Sequence, residues 1–167
     1  IYGIEYQDMK IDENYRNMAT AKDSIRDTYV VGVMYVYYDE LMALRSDLEK
    51  GNITQSQYTK QVGSIMNRCD DETLLKVEKA LKEMKNNVYG FEVDSGKSDI
   101  VTGKVSINFA WSGDAVYSLD VAEEENGVYL NYEVPEEGSN VWFDGWVMPK
   151  GANKELAQEF VNFLGDP

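Results

Sequence analysis

Val105-Ser106-Ile107-Asn108-Phe109-Ala110-Trp111-Ser112-Gly113-Asp114-Ala115 is the stretch on which the fold turns. Its first half alternates apolar and polar residues as a half-buried strand does, and Ser112-Gly113-Asp114 then reads as a turn opening a helix at Ala115. Trp111 is therefore expected at the carboxyl end of a strand, the edge where open α/β sheets bind ligands. Working outward, strands are expected over 88–92, 105–110, 128–133 and 141–148, and helices near 95–102, 113–124 and 153–164. Strands alternating with helices in a chain of 167 residues give an α/β layer structure, with a mixed sheet flanked by helices.

A second block, Asn140-Val141-Trp142-Phe143-Asp144-Gly145-Trp146-Val147-Met148-Pro149, repeats the pairing of a tryptophan with a nearby carboxylate. If 141–148 runs extended, Trp142 and Asp144 project to one face and Phe143 to the other. An aromatic face attracts a cation through its quadrupole, and an aspartate adds a charge-assisted hydrogen bond, so two such blocks suit an organic cation. Trp146 shares the face of Trp142 but lies further from the ligand end, and is assigned to the core. Asp114 is most simply a helix N-cap.

Upstream, apolar residues fall at helical intervals from Asp23 to about Leu48, with Asp23 or Ser24 as N-cap, and Gly51-Asn52 ends the run. Thr54-Gln55-Ser56-Gln57 has the form of a capping box and opens a helix carrying Tyr58, Val62, Ile65 and Met66 on one face. The same capping role accounts for the sequon-like Asn52-Ile53-Thr54. A third helix is expected from about Asp71 through Met84, again with an acidic cap. Glu123-Glu124-Glu125 and Glu136-Glu137 read as solvated ends of elements. In Asp23-Ser24-Ile25-Arg26-Asp27 the acids share a helix face at i,i+4. They either complement the helix dipole or face a ligand.

The formal charge is −14, from 30 acidic and 16 basic residues. Such a balance repels phosphates and argues against nucleic-acid or anionic-membrane partners. A cationic ligand fits its sign, and so does simple solubility in a secreted protein. Histidine is absent, which removes Ser-His-Asp and Cys-His nucleophiles and the commonest metal ligand. The single cysteine, Cys69, sits in a helical, polar context with no base to activate it, and excludes an intrachain disulfide. There is no Gly-x-Gly-x-x-Gly or phosphate loop, no calcium-loop spacing and no apolar run long enough for a membrane helix. No enzyme activity, metal or cofactor is expected. No signal peptide is read ahead of Ile1, so any targeting information has been removed or was never present.

The segments INFAWSGDAVY and VPEEGSNVWFDGWVMPKGANKELAQEFVNFL closely resemble the spermidine/putrescine substrate-binding proteins of bacterial ABC importers, over about residues 86–167 and again around 23–27. That resemblance implies one lobe of a type II periplasmic-binding-protein-like fold. Residues 1–167 are then a single α/β lobe of a two-lobe protein, with 39–88 a helical elaboration within it. Ile1-Tyr2-Gly3-Ile4-Glu5-Tyr6 is expected to be a strand, a former crossing between lobes, and the chain to stop at Gly165-Asp166-Pro167 where the family continues.

The resemblance further implies that Trp111 and Trp142 line a polyamine site, that Asp144 pairs with an ammonium, that Asp27 supplies a second carboxylate, and that Ser24 stands where spermidine binders often carry another acid. The implied function is capture of spermidine or putrescine in an interlobe cleft, and delivery to the ABC permease subunits in the membrane. The alternative is a sensor lobe of the same fold for a polyamine or other organic cation. The implied location is extracytoplasmic: the periplasm, or the cell surface as a lipoprotein in Gram-positive bacteria.

Overall fold

The computed structural model describes residues 16–134 and 138–166. The strand expected at Ile1–Tyr6 and the pair Glu136-Glu137 lie outside the described residues. Ten elements follow in chain order: β1 (Ala19–Lys22), α1 (Ile25–Val36), α2 (Tyr38–Glu49), α3 (Gln55–Met66), α4 (Asp71–Lys85), β2 (Gly90–Glu92), α5 (Gly96–Val101), β3 (Ile107–Asn108), α6 (Ser112–Asn126) and α7 (Lys154–Leu164). The fold is α/β. No helix among the described residues is long and apolar enough to cross a membrane.

The sheet has the order β2-β1-β3, and both pairings are parallel: Thr20 lies opposite Gly90 on one side of β1 and opposite Asn108 on the other. A mixed sheet was expected; the described one is wholly parallel because each strand returns through a helical crossover. All three carboxyl ends fall on one edge, and α1, α5 and α6 each begin just after a strand leaves it.

Central β1 is buried along its whole length, so Ala19-Thr20-Ala21-Lys22 shows none of the alternation that reveals a half-exposed strand, and the sequence pattern did not disclose it. The helix expected from Asp23 to Leu48 is two helices. α1 ends at Val36, and α2 starts after the single residue Tyr37, whose φ of −111° and ψ of 24° leave the helical region. Turning there buries the Tyr37 ring, with its hydroxyl 2.8 Å from that of Thr73 in α4.

Ser24 caps α1, Thr54 and Gln57 form the anticipated capping box of α3, and Asp70 is the acidic cap of α4. The main core gathers Val33, Met34, Tyr37, Leu41, Ile65 and Val77 from these four helices. Gly32 permits α1 to lie close against α4, since a Cβ there would stand 2.6 Å from Val77 Cγ1. A smaller cluster of Ala21, Val31 and Met84 joins this helical layer to the sheet. Cys69 is exposed in the connection between α3 and α4 rather than within a helix.

Two expected strands do not form. Residues 128–133 and 141–148 carry no regular secondary structure, and Val141, Phe143 and Val147 are almost fully exposed. Alternation makes a segment able to be a strand, but a strand exists only with a hydrogen-bonding neighbour, and no described element offers one. Trp146 is likewise exposed, not core: its ring meets Phe160 of α7 edge to face, centroids 6.0 Å apart.

Candidate functional site

The carboxyl edge of the sheet collects charged and aromatic groups from five segments. β1 ends at Lys22, β2 at Glu92 and β3 at Asn108. Asp27 stands in the first turn of α1 and Asp114 in that of α6, where a carboxylate is favoured by the helix dipole. Trp111 is the residue immediately before α6, its backbone still extended at φ −67° and ψ 149°. Asp114 is therefore not the N-cap. That position belongs to Trp111, which offers no capping side chain, and Asp114 is spent on ion pairs instead.

Half-buried Trp111 and half-buried Asp27 meet: the indole Nε1–H donates to Asp27 Oδ2 over 3.0 Å. Asn140 donates through its side-chain amide to the other oxygen, Oδ1, at 3.2 Å. Both donors are neutral, so these two bonds orient the carboxylate without neutralising it. Ser24 accepts from the backbone N–H of Asp27 at 3.5 Å, which links the cap of α1 to the residue it presents.

Beneath this pair lies a buried ionic cluster. Lys22 is 2% exposed and donates to Glu92 Oε1 at 3.2 Å, to the Val93 carbonyl at 2.8 Å and to Asp114 Oδ2 at 3.4 Å. Its ammonium stands 4.5 Å from the centroid of the Trp111 ring, a cation–π geometry. Glu92 Oε2 accepts from the backbone N–H of Gly96 at 2.8 Å. Glycine at 96 leaves room for these side chains, because a Cβ there would come within 2.5 Å of Glu92 Oε1 and 2.7 Å of Asn108 Oδ1 and push them aside. Lys97 donates to Asp114 Oδ1 at 3.2 Å, and that bond leads the effects that hold its ammonium pKa above the ordinary lysine value.

Of the five residues singled out in the sequence, the fold thus joins Trp111, Asp27 and Ser24. Trp142 and Asp144 follow Asn140 by two and four residues. Trp142 is 46% exposed and Asp144 is exposed, and no hydrogen bond or ring contact among the described residues ties either to Trp111 or Asp27. Sequence reasoning missed Lys22 and Asn140. A lysine closing an otherwise uncharged run, Ala19-Thr20-Ala21, was the available signal for the first; nothing local marks Asn140.

Chemically, the edge offers an aromatic surface beside a carboxylate whose side-chain donors among the described residues are neutral, an arrangement that can hold a cation. Among the described residues no group of three or more histidine, cysteine or acidic side chains is arranged to hold a metal ion.

A family described as bacterial extracellular solute-binding protein matches residues 35–167. The chain is similar to the putrescine-binding periplasmic protein PotF of Escherichia coli K12, 31% identical over 102 residues that cover 60% of this chain and 27% of that protein. It is similar to the putrescine-binding periplasmic protein SpuD of Pseudomonas aeruginosa, 40% identical over 72 residues, or 42% of this chain and 20% of the relative. A putrescine/agmatine-binding protein of Pseudomonas aeruginosa PAO1 is 30% identical over 104 residues, 60% of this chain and 28% of that protein. The matched stretches cover less than a third of the length of each of these relatives. No solved structure matches it.

Proposed function

We propose, from the premise that the chain belongs to the bacterial extracellular solute-binding proteins, that it is one lobe of a polyamine-capturing protein that serves an ABC importer outside the cytoplasm. The observation that carries the reading is the bond from the Trp111 indole to Asp27 at the carboxyl edge of the sheet. It sets an aromatic surface and a negative charge side by side, the two features an alkylammonium needs.

In this reading the methylenes of putrescine or spermidine lie against Trp111, and one ammonium pairs with Asp27, which Ser24 and Asn140 hold in place. Trp142 and Asp144, further along the exposed segment, supply the second aromatic contact and the second carboxylate once the cleft closes. The exposed apolar residues of 141–148 and of α7 support a cover from a second lobe. Closure then forms the surface that the membrane permease subunits recognise. The ligand is bound and released unchanged, so the role is not enzymatic, and the acidic surface leaves no place for nucleic acid. Capture at micromolar concentration needs about −8 kcal/mol. Two ammonium–carboxylate pairs and two aromatic contacts are of the right order.

Titration calorimetry with putrescine and spermidine, on this chain alone and on the protein completed by its second lobe, tests the reading. The complete protein is expected to bind one of the two near micromolar, and the lone chain weakly or below detection. Equal affinity in both would defeat the cleft, and no heat from either amine in the complete protein would defeat the polyamine assignment.

A further inference from the structure

A lysine is almost never fully buried unless its charge is met, and removing two charges from water is costly unless every donor and acceptor is satisfied. Lys22 meets that condition with three acceptors for its three protons: a carboxylate from β2, a carbonyl just after β2 and a carboxylate from α6. The Trp111 ring closes the fourth side. An aromatic face, two carboxylates and a carbonyl are also what a seat for a free primary ammonium would be made of.

The charges sort accordingly. Glu92 and Asp114 face Lys22, and Asp114 also faces Lys97. Asp27, bonded through Trp111 and Asn140, receives only neutral donors from them. Among the described residues, Trp111 therefore meets one cation, Lys22, on its ring and one carboxylate, Asp27, whose side-chain donors are neutral.

We propose that Lys22 is a built-in ammonium: it fills one cation seat against Trp111, between Glu92 and Asp114, and so confines an incoming alkylammonium to Asp27 and the part of the ring left exposed. Lys22 is in this sense a specificity-determining residue, because it sets how many ligand ammonium groups this lobe accepts. The proposal rests on the polyamine reading for its ligand, but not for its first test.

That test replaces Lys22→Ala, which removes the ammonium and leaves a channel about the size of n-propylammonium. The resonance of the Trp111 indole N–H in a heteronuclear NMR spectrum of the labelled chain, and the melting temperature, are read with added n-propylammonium or n-propanol. The expected result is a displaced Trp111 resonance that n-propylammonium, but not n-propanol, returns toward its wild-type position, with a saturable rise in melting temperature absent from the wild type. In the two-lobe protein the same variant is expected to shift the ratio of spermidine to putrescine affinity toward the triamine by about tenfold.

Equal effects of amine and alcohol, or an unmoved Trp111 resonance, overturn the proposal; so does an unchanged affinity ratio while both amines still bind. Should Lys22→Ala fail to fold even with the amine, Lys22→Arg decides. A native Trp111 resonance in that variant supports a seat for any cation, and its loss contradicts one. If wild type binds neither polyamine yet the amine rescue succeeds, the polyamine reading alone falls.

Discussion

The helical layer from α1 to α4 and the segment after α6 are both rich in apolar residues, but they have opposite fates. In the first, Val33, Met34, Leu41, Ile65 and Val77 disappear into a shared core. In the second, Val141, Phe143, Trp146 and Val147 stay exposed, and so do Leu156, Phe160, Phe163 and Leu164 of α7. Hydrophobic pattern gives a segment the capacity to be buried; a partner is what buries it. The two uncovered pieces also differ from each other. A helix satisfies its backbone within itself and persists without a neighbour, as α7 does with Asn153 capping it. A strand bonds only to another strand, and 141–148 therefore stays irregular.

Substitutions can break this contrast. Leu41→Ala, in the packed layer, should destabilise the chain by about 2–5 kcal/mol, whereas Phe163→Ala should change stability by less than about 0.5 kcal/mol. Urea unfolding of both variants measures this, and a similar loss for the two would show that α7 is packed after all. The close approach of α1 to α4 gives a smaller effect. Gly32→Ala gains helix propensity but drives a methyl against Val77 and Leu81, for a net loss of about 1–2 kcal/mol. Val77→Ala in the same chain should cancel part of that cost, and strictly additive losses would put the clash elsewhere.

The smallest effect concerns acid. The Asp70 carboxyl is held below its ordinary 3.8 by the backbone N–H of Thr73 first and by its hydroxyl second. A depressed carboxyl contributes stability that is complete above the unfolded value and is lost as pH falls through the folded one. Asp70→Asn keeps a capping acceptor and cannot titrate there, so its melting temperature should decline less than that of wild type between pH 5 and pH 2, as followed by circular dichroism. Parallel declines would remove Asp70 from the acid response.

Much of this was legible in the chain, and the gaps have physical causes. The strand at Ile107–Asn108 and the helix that follows Trp111 show in the alternation and the turn residues, and the caps at Ser24, Thr54 and Asp70 are local signals. β1 was hidden because a strand covered on both faces has no period, and the break at Tyr37 because neither proline nor glycine marks it. Trp111 and Asp27 stood out as site residues, but their meeting across 84 positions depends on parallel strands that bring the starts of α1 and α6 to one edge. Lys22 was passed over because its role comes from Glu92, Val93 and Asp114, none of which is near it in sequence.

If Asp27 beside Trp111 seats an ammonium group, Asp27→Asn should unseat it. Asparagine keeps an oxygen for the indole N–H and removes the charge. In calorimetry of the proposed two-lobe protein, the variant should lose about 2–5 kcal/mol of polyamine affinity, the cost of leaving one member of a buried charged pair alone, with its melting temperature little changed. Polyamine affinity equal to that of wild type would mean that Asp27 is not the ammonium partner.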